Sequence, residues 1–396
     1  MPDINAPGQP QVAARKPRIR ALLSGSANPD EPASHTGGIS PGGLVEATIT
    51  NNNWYQADRF SATFALVPGQ GVYDANWWSQ QVDVSVILQI GFQPPGTVEG
   101  MGSVPWETVI QGAADDITVD PIHGIVKVDG RDLSYLLIEA RSQEAFPNHT
   151  ASQIATTLAQ RHKLVPVVTE TSTPVERYYA ADHTVAELGG FHRHTTEWDL
   201  LVYLAQHEHF DLFVQGNELH FQPKASPSDD AWVVLYTPSG AAPSQGFNPS
   251  PRVNVEDLRL SRSLLIAKDI EVDVVSWNQQ SARNYKATAK KTGGGSKGSQ
   301  PQRYVYVYPN LTKAQAQVKA NAILEDLTQH ERVIEFRQPW ILTISPRTPI
   351  RLVGTGTRWD QRYFVDSITR TINFSSGFSQ TVRAKNTDTS SQVAVI

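Results

Sequence analysis

Four histidines, His192, His194, His207 and His209, fall within 18 residues, with Glu208 between the last two. Imidazole and carboxylate are zinc ligands, and two histidines at i and i+2 on a strand share a face. His207-Glu208-His209 is not an H-E-x-x-H pair, however, because on a helix i and i+2 project about 200° apart. A histidine close to a helix C-terminus is explained by the helix dipole, which favours positive charge there. The spacing predicts surface or capping histidines and no metal. Gly293-Gly-Gly-Ser-Lys-Gly-Ser299 puts a lysine in a glycine loop. The G-x-x-x-x-G-K-[ST] spacing is absent and no helix start follows, so the expectation is a flexible hairpin loop and no phosphate site. Gly91 and Gly100 are no better placed. Acids cluster at Asp115-Asp116 and at Asp129 and Asp132. A glycosidase needs two carboxylates across a cleft, and tryptophans would suit a sugar. The nine tryptophans are scattered along the chain, which fits core or interface anchors better. No serine stands in a G-x-S-x-G elbow, and the absence of cysteine excludes disulfides and thiol chemistry. No catalytic, cofactor or metal residue is assigned; a cell-wall hydrolase or sugar-binding protein is the alternative reading.

The chain has 396 residues, which suggests two or three domains at about 100–200 residues each. Its net charge of −5 lacks the basic surplus that general DNA binding requires. No apolar run approaches the roughly 20 residues of a membrane span. The first 20 residues lack an apolar stretch, so no secretory signal is expected and the segment reads as a flexible arm.

The elements that would position these residues are mostly strands. Leu44–Thr50, Arg59–Val67, Val82–Phe92, Thr108–Ala113 and Gly124–Val128 are short alternating runs between turn residues, as in antiparallel barrels or sandwiches. Trp77 and Trp78 lie in the long connection between Val67 and Gln81 and are candidate interface anchors. Helical signals begin at Asp132. Capping boxes stand at Thr150/Gln153, Thr184/Glu187, Thr196/Asp199 and Thr312/Gln315. After Thr196, the spacing of Trp198, Leu201, Val202 and Ala205 marks one apolar helix face. Phe210, Leu212 and Val214 then alternate, as do Leu219 and Phe221, across the turn Gln215-Gly216-Asn217. Beyond Leu258 strands return: Ile270–Trp277 with Asn284–Lys290 as hairpin partner, then Arg303–Tyr308, Ile334–Ile344, Ile350–Val353, Tyr363–Ile368 and Ser379–Arg383. Between them a helix to about His330 should bury Val318, Ile323, Leu324 and Leu327.

Several stretches together resemble the phage late-control gene D family of tail hub proteins. They are Phe146-Pro-Asn-His-Thr-Ala-Ser-Gln-Ile-Ala155, Thr196-Glu-Trp-Asp-Leu-Leu201 with Leu204-Ala205, and Gly216 to Pro223. Ile270 to Trp277 is similar to the first strand of that family's second barrel. Ile350-Arg-Leu-Val-Gly354 and Arg362-Tyr-Phe-Val-Asp-Ser-Ile368, followed by Gly377-Phe378, resemble its closing strands. The resemblance covers roughly residues 20–385 and extends to the T-even baseplate hub and the N-terminal part of type VI secretion spikes. Two positions depart from it: His209 where the family usually has glycine, and Thr369-Arg370 where it tends to have histidine.

The resemblance implies a mainly β chain in which two antiparallel β-barrel tube domains flank a helix-containing α+β insert. The expected division is a flexible arm over 1–20, a first barrel over 21–131, the insert over 132–225, a linker over 226–257, a second barrel over 258–385 and a polar tail over 386–396. It further implies a structural virion protein without enzymatic activity or cofactor, located at the tail tip or baseplate after assembly in the host cytoplasm. A homotrimer of tandem barrels would present six similar surfaces, matching a sixfold tail tube to a threefold central spike. The tail tube protein, the spike protein and a tape-measure protein are the expected partners. DNA would pass through the lumen without specific binding.

Overall fold

The computed structural model describes residues 16–35, 37–41, 43–53, 55–66, 73–93, 105–141, 144, 146, 149–172, 175, 196–224, 231–239, 251–264, 270–278, 283–291, 302–308, 311–373 and 377–386. The first part of the chain forms β1 (Lys16–Ser26), β2 (Leu44–Asn52), β3 (Arg59–Ala65), α1 (Ala75–Gln80), β4 (Asp83–Gln93), β5 (Trp106–Asp120) and β6 (Ile125–Asp132). The middle forms α2 (Tyr135–Glu139), α3 (Ala151–Arg161), β7 (Val165–Val168), α4 (Glu197–Glu208), β8 (Phe210–Gln215) and β9 (Glu218–Pro223). The remainder begins with β10 (Trp232–Thr237), β11 (Arg252–Val253), β12 (Asp257–Arg262), β13 (Ile270–Asn278), β14 (Arg283–Lys291) and β15 (Gln302–Val307). It closes with α5 (Lys313–Thr328), β16 (Arg332–Pro339), β17 (Pro349–Val353), β18 (Arg362–Asn373) and β19 (Gly377–Asn386).

The chain is mainly β, with several sheets and a helix-containing insert. Thirteen strands share one sheet, in the order β1-β4-β5-β6-β3-β2-β18-β17-β10-β11, and β19, β16 and β12 continue it from the other edge of β18. Alternation explains the first core. Ala47 and Ile49, Phe60, Ala62 and Phe64, Val84 to Ile90 and Val126 with Val128 point to one side and pack together. A second core gathers Ile334, Phe336, Ile350, Leu352, Tyr363, Val365, Ile368 and Val382. The two regions meet where β2 pairs antiparallel with β18, Thr50 opposite Thr369.

Two sequence boundaries change. Residues 16–20 are not part of a free arm: they pair with β4, Ile19 opposite Ile90. The basic residues hid the strand, yet Arg20 has a local role, its Nε donating to Gln89 Oε1 at 2.7 Å and its guanidinium lying over the Trp106 ring. The stretch read as a linker over 226–257, with one strand expected at Trp232–Tyr236, supplies that strand as β10, which runs parallel to β17 in the large sheet, and adds β11 beside it. The capping boxes at Thr150, Thr196 and Thr312 all form; that at Thr184 lies outside the described residues. The α3–α4 layer packs on the β7-β9-β8 sheet around Ile154, Leu158, Leu201, Leu204, Leu219 and Phe221.

A fourth core is separate. The β14-β13-β15 sheet carries α5 on one face, with Val272, Val274 and Ala287 against Ala316 and Ala320. The buried helix positions follow i, i+4, i+7 and i+11 from Ala316, which brings in Ile323 and Leu327 but not Val318. Val318 stands two residues from Ala316, on the far side, and is 59% exposed, so it leaves the expected stripe, whose other members Ile323, Leu324 and Leu327 pack on the core. The small alanines let the helix approach the sheet.

Gly112 lies where β5 and β6 come closest. A Cβ there would stand 1.8 Å from the Arg131 carbonyl oxygen, so backbone itself would have to move. Gly112→Ala is expected to cost about 3 kcal/mol of stability, measured by denaturant midpoint. A change below about 0.5 kcal/mol would show that the crossing yields freely.

Candidate functional site

The histidine pair ends a helix. His209 takes the left-handed conformation at the end of α4, with φ 59°, and donates its backbone N–H to the Ala205 carbonyl. This is the conformation that glycine adopts most readily at a helix C-terminus. Burial, then the nearby Lys319 and Lys224, lower the pKa of its ring. His207 sits in the last turn, its Nδ1 3.8 Å from Glu208 Oε1. Among the described residues no group of three or more His, Asp or Glu could hold a metal ion. His192, His194 and the Gly293–Ser299 loop lie outside those residues.

Two of the clustered acids, Asp115 and Asp129, face basic partners. Arg131 grips both oxygens of Asp115, its Nε 2.7 Å from Oδ2 and its Nη2 2.6 Å from Oδ1, and also reaches Glu139. Asp129 meets Lys127 at 2.8 Å. Asp132 points the other way, into the interior. Trp78 is 4% exposed in the first core, beside Phe64. Trp77 is half-buried against Tyr73, ring centroids 4.5 Å apart, and the Asp74 side chain caps the short helix that carries both. One edge of Trp77 thus remains on the surface with Asn76 and Gln80.

A polar junction stands where the first three cores meet, and no motif in the sequence marks it. Arg370 on β18 is 5% exposed. It donates through Nη1 to Asn51 Oδ1 and through Nη2 to the Ile344 carbonyl at 2.7 Å. Asn51 in turn donates to Asp58 Oδ2 at 2.7 Å, and the Asn52 N–H donates to Oδ1 of the same carboxylate. The backbone N–H of Asp132 donates to the Asp58 carbonyl, while the Asp132 carboxylate accepts from the N–H and hydroxyl of Ser134. Arg347 lies over the Phe213 ring of the insert. Burial dominates the electrostatics. It pushes the Asp58 carboxyl up to about 6 against the hydrogen bonds from Asn51 and Asn52. It pushes Asp132 up further, helped by the charge of Asp58. Burial also lowers Arg347 and Arg370 to about 10. Arg370 had drawn notice as a departure from a family pattern and Asp132 as one of the clustered acids, but no local spacing links either to Asp58 or Arg347.

Opposite this junction, the other face of the sheet is polar. Register sets Thr48 beside Ser61 and Thr371, and Thr50 beside Arg59 and Thr369. Across β19, Thr369 and Thr371 oppose Thr381 and Ser379. The flanks carry both signs, with Lys127, Asp129 and Arg131 on β6 and Glu335 and Arg337 on β16. A groove of about 530 Å³ runs over this face, lined by Thr48, Thr50, Ser61, Asp115 and Asp129 among others. Hydroxyls and interleaved charges suit a surface that must stay wetted and hold nothing tightly.

No protein-family model matches the sequence, and no curated protein matches it. Solved structures do. A tail protein from Neisseria meningitidis MC58 superposes with TM-score 0.61 at 12% identity, over 94% of this chain and 98% of that one. The 43 kDa tail protein of prophage MuSo2 from Shewanella oneidensis gives TM-score 0.61 at 14% identity, again over 94% and 98%. A chain of the half-lidded Francisella PdpA-VgrG complex gives TM-score 0.51 at 9% identity, over 94% of this chain and 58% of that one. The chain therefore has the fold of phage tail proteins, a fold it shares with a component of that PdpA-VgrG complex.

Two substitutions test the site. The Asp58 and Asp132 carboxyls titrate higher in the folded state than in the unfolded one. Their contribution is present below the unfolded carboxylate range and is lost as pH rises, through about 6 for Asp58 and through the raised folded pKa of Asp132. Asp132→Asn, compared with wild type, should gain about 1–3 kcal/mol between pH 4.5 and pH 8, read from unfolding midpoints at each pH; equal shifts at both ends would show the pair is not desolvated. At the left-handed cap, His209→Ala should be less stable than His209→Gly by about 1 kcal/mol, since both remove the ring and only alanine strains the backbone.

Proposed function

We propose that this chain is a structural tail protein, the homotrimeric hub at the tip of a phage or phage-like tail, with no enzymatic role. The observation that carries the reading is the antiparallel run β6-β3-β2-β18-β19-β16-β12, which joins both β regions in one sheet and presents a hydroxyl-rich face along it. In a closed ring of three chains that face would line the channel. Its threonines and balanced charges would let DNA or a tape-measure protein pass without phosphate neutralisation, in keeping with the net charge of −5. Two tube-like regions per chain, over about 21–131 and 258–385, would give six surfaces to a tail tube protein and three to a central spike. The exposed edge of Trp77 is the proposed contact with a neighbouring subunit or the next ring. The likeness to tail proteins in fold supports this reading. The cell-wall hydrolase reading finds less support, because Asp115 and Asp129 are held by basic residues.

Because the chain has no cysteine, Thr371→Cys introduces a single thiol on the polar face. In assembled particles this thiol should be shielded from a bulky maleimide yet react in the free protein; equal labelling in both would place the face outside the channel. Trp77→Ala should leave the unfolding midpoint within about 1 kcal/mol while reducing trimer mass in light scattering or particle yield. Full assembly by a folded Trp77→Ala variant would remove that residue from the interface.

A further inference from the structure

We propose that the cavity at the junction of the three cores is an oxyanion-binding site, with Arg347 and Arg370 as its donors and a carboxylate or phosphate group as its ligand class. The cavity measures about 120 Å³, and Asn51, Asp58, Asp132, Arg347, Arg370 and Gln215 are among the residues that line it. That is room for about four water molecules, enough for one carboxylate or phosphate head group. All three parts of the chain contribute, so an occupant would bear on their relative position.

The two guanidinium groups carry the argument. Arg370 uses Nη1 and Nη2 for Asn51 and Ile344, but its buried Nε has no hydrogen-bond partner among the described residues. The buried Nε of Arg347 likewise has none among them, and Asp211, Asp58 and Asp132 act on this residue through space. A buried guanidinium donor left unmatched is costly, and native structures seldom tolerate two on one cavity. Guanidinium geometry matches carboxylate and phosphate oxygens. Three carboxyls line the cavity and do not fill the need: Asp58 is held by Asn51 and Asn52, Asp132 by Ser134, and Glu107 is exposed to solvent. Burial also favours the neutral forms of Asp58 and Asp132, which would not repel an anion.

The experiment follows the unfolding midpoint of the full chain at pH 6 and constant ionic strength. Sodium chloride is replaced stepwise by sodium phosphate or by sodium acetate. Wild type should show a saturable rise, and Arg347→Gln should weaken the apparent affinity at least tenfold. Arg347 lies over the Phe213 ring and its Nε has no hydrogen-bond partner among the described residues, so this variant removes no hydrogen bond seen at that atom. In chloride alone it should be as stable as wild type or more so, since a desolvated cation is gone. Arginine Nε–H resonances of the ¹⁵N-labelled protein, assigned with Arg347→Gln and Arg370→Lys, should shift with the same saturation. A response to phosphate and acetate alike supports a general oxyanion site filled from solution. A response to acetate alone points to a carboxylate side chain of a partner as occupant. Parallel salt curves for wild type and Arg347→Gln, or unmoved Nε–H resonances, would overturn the proposal and leave the cavity to ordered water.

Discussion

The register between β2 and β18 is the constraint on which the rest depends. Ile368 opposite Asn51, Arg370 opposite Ile49 and Ile372 opposite Ala47 face the interior, while Thr369 and Thr371 face outward. Because strand side chains alternate with period two, a slip by one residue would invert this arrangement completely. Threonines would enter the core and Arg370 would leave Asn51 and Ile344 without their partner. The buried arginine therefore specifies the register as well as joining the two regions. Its hydrogen bonds hold only when the strand pair, the loop at Ile344 and the Asp58 turn are all in place. Burying such a group is a weak source of stability, because desolvation offsets most of the attraction, but a mismatched register would leave it wholly uncompensated.

The same register makes the polar face continuous. With β18 hydrogen-bonded to β2 on one edge and β19 on the other, threonines and serines from four strands stand side by side. Neither region alone provides that surface. A wide hydroxyl band bounded by mixed charge is hydrated and has no strong field of either sign, properties suited to a passage that a charged polymer must cross without arrest.

The α5 unit obeys a different rule. It is inserted between β12 and β16, which themselves pair, Leu260 opposite Ile334. The chain leaves the large sheet, forms a three-stranded sheet with its own helix, and returns to the neighbouring strand. Ala316 and Ala320 permit close packing on Val272 and Val274, and the ion pairs of Asp273 with Lys286 and Arg303 lie on the uncovered face. A separate core of this size can be added without disturbing the register on which the larger sheet depends.

What the sequence alone determined was local. Period-two alternation marked β2 to β4, capping boxes set the starts of α3, α4 and α5, and Gly216 with its neighbours fixed the β8–β9 turn, because each rests on residues within a few positions of one another. The order of such motifs also carried the likeness to tail hub proteins, which the shared fold supports. The tertiary structure decided everything that joins distant residues. Arg370 bonds to Asn51 across 319 positions, and β10 pairs parallel with β17, a pairing that the two strands, each legible by itself, do not announce. The strand beginning at Lys16 was masked by its charges, whose aliphatic stems and partners become visible only once β4 and β5 lie alongside. On α5 the expected stripe held at Ile323, Leu324 and Leu327 and failed at Val318, because the sequence does not say that the small Ala316 and Ala320 carry the first turns of the buried face. The junction of Asp58, Asp132, Arg347 and Arg370 exists only because three separately formed cores close over it, and burial, which shifts the pKa of every member, is a property of that closure.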